Sequence, residues 1–164
     1  MDMIAKMGAV CLVTRTRLIS RVVTGIYDEA LRPFEISSAL FALLVGIYQV
    51  QPATRAEIGR QQHLDRSTLT RHLKSILSEG WAEEFRYGAN GRSKPIVLTP
   101  AGTDLLSRVE AAWEAAQVQA KDLLGEDGAT AIMDMANRIM EPAVRAMIDG
   151  SQTRAQPYRR GDPR

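Results

Sequence analysis

"LDRSTLTRHLKSILSEGWAEEFRYGANGRSKPIVLTPAG", residues 64–102, changes character at Gly80. Before it, apolar residues recur at helical steps. After it, two short stretches of alternating residues flank an Asn-Gly pair. On a helical wheel of about 100° per residue, Leu69, Leu73, Ile76 and Leu77 cluster on one side of the 66–78 segment. Ser67, Arg71, Lys74, Ser75 and Ser78 fall opposite, with Thr68 at the edge. Asp65 is the expected N-cap, and Gly80 the expected left-handed residue beyond the C-cap. "WAEEFRY" and "KPIVLT" read as strands, and Asn90-Gly91 between them as a hairpin turn.

The residues just upstream complete a motif. "TRAEIGRQQ" opens with Thr54 and places Glu57 three residues on, the pattern of a reciprocal capping box. The turn "HLD" then leads into the 66–78 helix. Two short helices joined by so tight a turn form a helix-turn-helix, whose second helix enters the major groove with its N-terminal residues at the base edges. Ser67, Thr68 and Arg71 occupy that end. Short hydroxyl side chains allow close approach, and a guanidinium forks onto guanine or a phosphate. Lys74 continues the polar face. Arg86, Arg92 and Lys94 flank the Asn-Gly turn, a thin basic wing suited to the negative potential of the minor groove. Each arginine alone reads as a solvated side chain. The combined order of capping box, turn, polar-faced helix, strand, basic turn and strand points to DNA.

Charge agrees in its distribution rather than its total. The 164-residue chain carries a net +2, but residues 54–94 hold eight Lys and Arg against five Asp and Glu, whereas residues 95–150 hold four against nine. One basic segment in a nearly neutral protein fits one anionic contact face. The length suits one domain or two small ones sharing a core. With 45% apolar residues a proper core is expected. No run of about twenty apolar residues suggests a membrane span, and no secretion signal is evident. The single cysteine, Cys11, excludes an internal disulfide. These features favour a bacterial-type cytoplasmic protein.

Helices are expected on both flanks. Ile4, Met7, Cys11, Leu18, Val22 and Ile26 form one apolar stripe, so residues 4 to about 31 read as one long helix ending before Pro33. Ser37 or Ser38 caps the next helix, whose residues Leu40 to Val50 are apolar nearly all round and so should be buried; Pro52 breaks it. Thr99-Pro100 opens a helix to about Leu124, with the threonine as cap and the proline in the first turn. Gly125 interrupts it. A Met-rich helix over about 127–148 follows, which Pro142 should bend. Residues 150–164, rich in Arg, Pro and Gly, read as a disordered basic tail.

On "TRAEIGRQQHLDRSTLTRHLKSILSEGWAEE" followed by "GRSKPIVLTPAG", the chain resembles the MarR family of bacterial transcription regulators, closely over residues 35–105. The resemblance implies a mainly α fold: a winged helix-turn-helix with long N- and C-terminal dimerisation helices and a small β-hairpin wing. It divides the chain into an N-terminal dimerisation helix (1–35), the DNA-binding domain (36–99), C-terminal dimerisation helices (100–149) and the tail. It implies a homodimer on double-stranded DNA, most simply a ligand-relieved repressor on a pseudo-palindromic operator. A small aromatic or phenolic compound is the implied effector. Ser67, Thr68, Thr70 and Arg71 match DNA-contacting positions of the recognition helix, and Arg92 matches the wing arginine. The family wing usually reads Asp-x-Arg, whereas this chain has Asn90-Gly91-Arg92. The charge assistance to the arginine is therefore gone. The apolar flanking stripes independently call for a partner surface.

For an effector pocket the residues at hand are Cys11, Arg15, Tyr27 and Tyr48, with Arg17 and Trp113 as further options. Cys11 reads first as a small buried hydrophobe. The alternative is a redox sensor whose thiol pKa is lowered by Arg15 one turn on. His63 and His72 have no cysteine cluster near them, so no metal site is expected. No nucleophile–base pair or phosphate loop appears, so neither an enzyme nor a cofactor is expected. The rival reading is a winged-helix protein-interaction or dimerisation module that does not read DNA. Such a module would carry exposed aliphatics on the 66–78 helix, where this chain has Ser, Thr and Arg.

Overall fold

The structure, a computed structural model, describes residues 2–85, 94–142, 144–146 and 148. Residues 1–120 and residues 121 onward form two compact units. The first holds α1 (Met3–Val10), α2 (Leu12–Leu31), a 3-10 turn (Arg32–Phe34), α3 (Ser38–Val50), α4 (Arg55–Gln61), α5 (Arg66–Ser78), β1 (Ala82–Glu84), β2 (Ile96–Leu98) and most of α6 (Pro100–Leu124). This is the expected mainly α winged-helix class. Among the described residues no single helix is long and apolar enough to cross a membrane.

The N-terminal stripe does not make one helix. Cys11 takes an extended backbone (φ −71°, ψ 114°) and serves as C-cap of α1 and N-cap of α2. Its N–H donates to Met7 O at 3.1 Å, and its own carbonyl accepts Arg15 N–H at 3.1 Å. The Arg15 guanidinium donates to Ala9 O at 3.0 Å, so a carbonyl orphaned by the break finds a partner. The apolar period continues across the joint, which is why periodicity alone missed it. α2 then ends at Leu31, as Pro33 requires.

Ser37 caps α3, its hydroxyl accepting from Leu40 N–H, while Ser38 N–H donates to Asp28 Oδ1 at 2.7 Å and ties α3 to α2. α3 is not buried all round. Leu43, Leu44 and Ile47 enter the core, but Tyr48 is 57% exposed. The core joins these three to Leu31 and Ile36, to Ile58 of α4, to Leu69, Leu73 and Ile76 of α5, to Ile96 of β2 and to Leu105 and Val109 of α6. One hydrophobic cluster therefore holds the helix-turn-helix, the sheet and the start of α6 together.

β1 and β2 pair antiparallel, with Ala82 opposite Leu98 and Glu84 opposite Ile96. Ala53 adds a separate one-residue bridge to β2 that the sequence did not reveal: Ile96 N–H donates to Ala53 O at 2.8 Å, and Ala53 N–H returns to Ile96 O at 3.3 Å. The predicted turn at Asn90-Gly91 lies outside the described residues, as do Arg86 and Arg92.

α6 opens as expected. The Thr99 hydroxyl accepts from Gly102 N–H at 3.1 Å and donates to Gly80 O at 2.6 Å, joining the start of α6 to the end of α5. At its far end Gly125 takes φ +71°, a left-handed value that breaks the helix where expected. In the second unit α7 (Glu126–Met140) has Glu126 and Asp127 in its first turn and Arg138 in its last, both favourable to the helix dipole. Pro142 does more than bend this helix. Glu141 before it is extended (φ −58°, ψ 135°), so α7 stops at Met140 and helical backbone resumes at Pro142. The residue before a proline is pushed out of the α region, and proline fits a first helical turn. The predicted tail, 150–164, lies outside the described residues.

Candidate nucleic-acid interface

The interface is built on α4, the turn and α5. The capping box is present in full: Glu57 N–H donates to the Thr54 hydroxyl at 3.3 Å, and Thr54 N–H donates to Glu57 Oε2 at 2.7 Å. The Thr54 hydroxyl also donates to Glu57 Oε2 at 2.7 Å, and this bond together with that from Thr54 N–H holds the Glu57 carboxyl below its ordinary pKa. α4 ends at Gln61, and His63 just beyond its C-cap takes a left-handed φ of 49°. His63 N–H and Leu64 N–H reach back to Arg60 O (3.4 Å) and Gly59 O (3.1 Å). That pair of bonds is a Schellman closure, normally made with glycine.

Asp65 then starts α5. Its Oδ1 accepts Ser67 N–H at 2.9 Å and Thr68 N–H at 3.0 Å, the expected N-cap. It does more than cap. The Ser67 hydroxyl donates to Oδ1 at 2.6 Å and the Thr68 hydroxyl to Oδ2 at 2.7 Å. Donation from Ser67 and Thr68 drives the Asp65 carboxyl far below the ordinary carboxylate range. Only the N-cap role was legible in the sequence. α5 ends as predicted: Gly80 at φ +69° lets Gly80 N–H reach Leu77 O and Trp81 N–H reach Ile76 O, both at 3.1 Å.

With both ends fixed, the two faces of α5 separate as the wheel predicts. Leu73 and Ile76 are fully buried and Leu69 nearly so. Ser67, Thr70, Arg71, Lys74 and Ser78 are exposed, and Thr68 and Ser75 are half-buried. Ser67, Arg71, Lys74 and Ser78 follow at four- and three-residue steps, so they form one polar line along the helix. Lys94 is exposed just ahead of β2. The sheet is held to the helix-turn-helix by a pair that sequence reasoning missed. Arg55 of α4 donates from Nε to Glu84 Oε1 of β1 at 2.7 Å, and its Nη2 lies 2.7 Å from the same oxygen. Gln51 Oε1 also accepts Leu98 N–H at 2.7 Å. Both pairs join residues far apart in the chain, so no local periodicity marks them.

Of the effector-pocket candidates, Cys11 and Arg15 are neighbours at the helix break, while Tyr27 and Tyr48 lie on α2 and α3. Cys11 is partly exposed at the helix break, not a buried hydrophobe. Its thiol pKa is lowered by hydrogen bonds from Thr14, not by Arg15, whose guanidinium is engaged with Ala9 O. Tyr27 lies sixteen positions along the chain from Cys11, roughly 24 Å at the helical rise. The Tyr27 hydroxyl donates to Gln117 Oε1 of α6, and burial raises its pKa. Tyr48 faces outward from α3. Arg15 and Arg17 are exposed and Trp113 is half-buried. Among the described residues no three His, Cys, Asp or Glu side chains cluster to suit a metal ion.

The same architecture recurs in solved structures. A cysteine mutant of MarR from E. coli, complexed with operator DNA, superposes with a TM-score of 0.71 at 19% identity, covering 85% of this chain and 99% of that one. The M. tuberculosis transcriptional regulator MOSR, in complex with DNA, gives 0.66 at 29% identity over 78% of this chain and 92% of its own. The S. aureus MepR–DNA complex gives 0.67 at 17% identity over 80% and 97%. In sequence, 80 residues (49% of this chain) are 30% identical to YwoH of Bacillus subtilis (strain 168), described as an uncharacterized HTH-type transcriptional regulator. That match spans 58% of YwoH. No family model matches the sequence. The chain thus shares the winged-helix fold of these MarR-type regulator structures, and half of its sequence is similar to an HTH-type transcriptional regulator.

Proposed function

We propose that the protein is a sequence-specific DNA-binding transcription regulator that works as a homodimer on a pseudo-palindromic operator. The observation that carries this reading is α5, with one face sealed into the core and the other a continuous polar line that carries two cations, Arg71 and Lys74. Residues 36–99 are then the DNA-binding domain. Ser67, Thr68, Thr70 and Arg71 meet base edges, and Lys74, Arg92 and Lys94 add phosphate or groove contacts. Residues 1–35 and 100–149 form the dimer. Supporting this, Met3, Ile4, Met7, Val10, Leu12 and Val13 are all more than half exposed in a single chain, as is Met133 of α7. Such apolar stretches mark interfaces. A two-fold dimer would space two α5 helices about one DNA turn apart.

The action proposed is repression in the cytoplasm, relieved by a small aromatic or phenolic ligand, with no enzymatic activity and no cofactor. The interaction-module reading is disfavoured by the Ser, Thr, Arg and Lys composition of the exposed face. The test combines sedimentation with titration of duplexes from the gene's own upstream region against scrambled duplexes. The expected result is a dimer at low micromolar concentration that prefers one upstream duplex, with affinity falling as salt rises. A stable folded monomer, or equal affinity for every duplex, would contradict the proposal.

A further inference from the structure

The hydroxyls on the exposed face of α5 have lost their freedom to choose a role. A carboxylate and a backbone carbonyl can only accept hydrogen bonds. The Ser67 hydroxyl therefore spends its proton on Asp65 Oδ1 at 2.6 Å, and the Thr68 hydroxyl spends its own on Oδ2 at 2.7 Å. One turn on, the Thr70 hydroxyl donates to Arg66 O at 2.7 Å. Each oxygen keeps only lone pairs for an outside partner. The helix start is likewise closed to phosphate. Ser67 N–H and Thr68 N–H, the groups that would hold an anion there, already serve Asp65, whose negative charge stands in front of them.

Resting on the DNA-reading function above, we propose that Ser67 and Thr70 determine specificity as hydrogen-bond acceptors, each reading the exocyclic amino group of a cytosine or adenine in the major groove. Those amino groups are the donors that bases present there, whereas guanine O6 and N7 and thymine O4 accept. Arg71 lies four residues beyond Ser67 on the same line and supplies the donors that those acceptors need. From Ser67 onward on this face, acceptor oxygens at Ser67 and Thr70 thus precede the cation Arg71.

Every base pair carries an amino group on one strand and a keto group on the other, so a consensus sequence alone does not decide which is read. The test is atomic. A duplex is first selected from a random library with the full-length protein and again with Ser67→Ala, which keeps the Asp65 backbone cap. At the position whose preference relaxes in the variant, two analogue duplexes are made. One carries purine or 2-pyrimidinone deoxynucleoside, lacking the amino group. The other lacks the keto oxygen of the facing base. Coupling to the protein variant cancels the analogue's own effect on base pairing.

The expected result is that amino deletion weakens the wild type roughly three- to tenfold, the scale of one neutral hydrogen bond. It leaves Ser67→Ala unchanged, and keto deletion affects both proteins equally. Thr70→Val, similar in shape without the hydroxyl, repeats the measurement at its own position. Coupling to the keto oxygen, or to neither group, overturns the inference while leaving the DNA-reading function intact. Failure of the wild type to select any duplex overturns both.

Discussion

Replacing Gly102 with alanine is expected to destabilise the fold, and replacing Gly46 is not, although both glycines are buried in helices. An added Cβ at Gly102 would lie 2.0 Å from the Trp81 carbonyl oxygen and 2.9 Å from its carbon. Real Cβ contacts essentially never fall below 3.0 Å, so the main chain must part by at least 1 Å. That carbonyl is not free to move, because it accepts Thr99 N–H at 3.1 Å. The same threonine bridges Gly80 O and Gly102 N–H, so the strain acts on the junction of α5, β1 and α6 together. Overpacking of this kind costs about 1–3 kcal/mol, and a weakened hydrogen bond adds about 1 kcal/mol. Alanine's helix preference returns at most about 1 kcal/mol, leaving a net loss of about 2 kcal/mol.

At Gly46 the nearest atom is Gln62 Nε2 at 2.2 Å, the far end of a flexible side chain. Swinging it aside costs about what the helix preference returns, so Gly46→Ala should lie within about 1 kcal/mol of wild type. Urea unfolding of all three proteins at one fixed concentration, since a dimer of the kind proposed would couple assembly to stability, measures both differences. Equal loss in the two variants, or a neutral Gly102→Ala, would refute the reasoning.

Asp65→Asn should remove a pH dependence. The depressed carboxyl contributes stability above its unfolded pKa of about 3.9, and that stability is lost as pH falls through the folded value. Wild type should therefore lose more stability than Asp65→Asn in unfolding curves below about pH 4, and the two should run parallel between pH 5 and 7. At Cys11, Thr14→Val should raise the pH midpoint of thiol alkylation, because Thr14 donates the hydrogen bonds that lower it. Arg15→Gln should leave that midpoint in place; the opposite pattern would restore the charge-based reading. Cys11→Ser should preserve both DNA binding and its ligand response; release of DNA by peroxide from the wild type but not from the variant would favour a redox role for Cys11 instead.

The sequence was most legible where a local rule has a single structural solution. The Thr54–Glu57 box, the Asp65 cap, Gly80, Thr99-Pro100 and Gly125 each lie where their chemistry predicts. The faces of α5 followed from spacing alone, because one side had to meet the core. What escaped depends on partners far apart in the chain. The Ala53 bridge to Ile96, the Arg55–Glu84 pair and the tie from Gln51 to Leu98 join residues that no local pattern links. The break at Cys11 escaped for another reason, since apolar period continues through it while the backbone does not. The locked hydroxyls were hidden because the sequence showed an Asp cap but not which way Ser67 and Thr68 would turn. Effector residues were the least legible. A cysteine, an arginine and two tyrosines have no spacing rule, and the structure sets Cys11 and Tyr27 far apart along the chain.

The central claim is that α5 reads bases while the wing adds charge attraction. Titration of a selected duplex and its scrambled counterpart with wild type, Arg71→Ala and Arg92→Ala over a salt series tests it most directly. Arg71→Ala is predicted to lower the ratio of specific to non-specific affinity, by the about 1–3 kcal/mol per half-site that one base contact is worth. Arg92→Ala is predicted to lower both affinities, keep their ratio, and flatten the salt slope by about one unit per lost phosphate contact. An unchanged ratio in Arg71→Ala beside a collapsed ratio in Arg92→Ala would contradict the account.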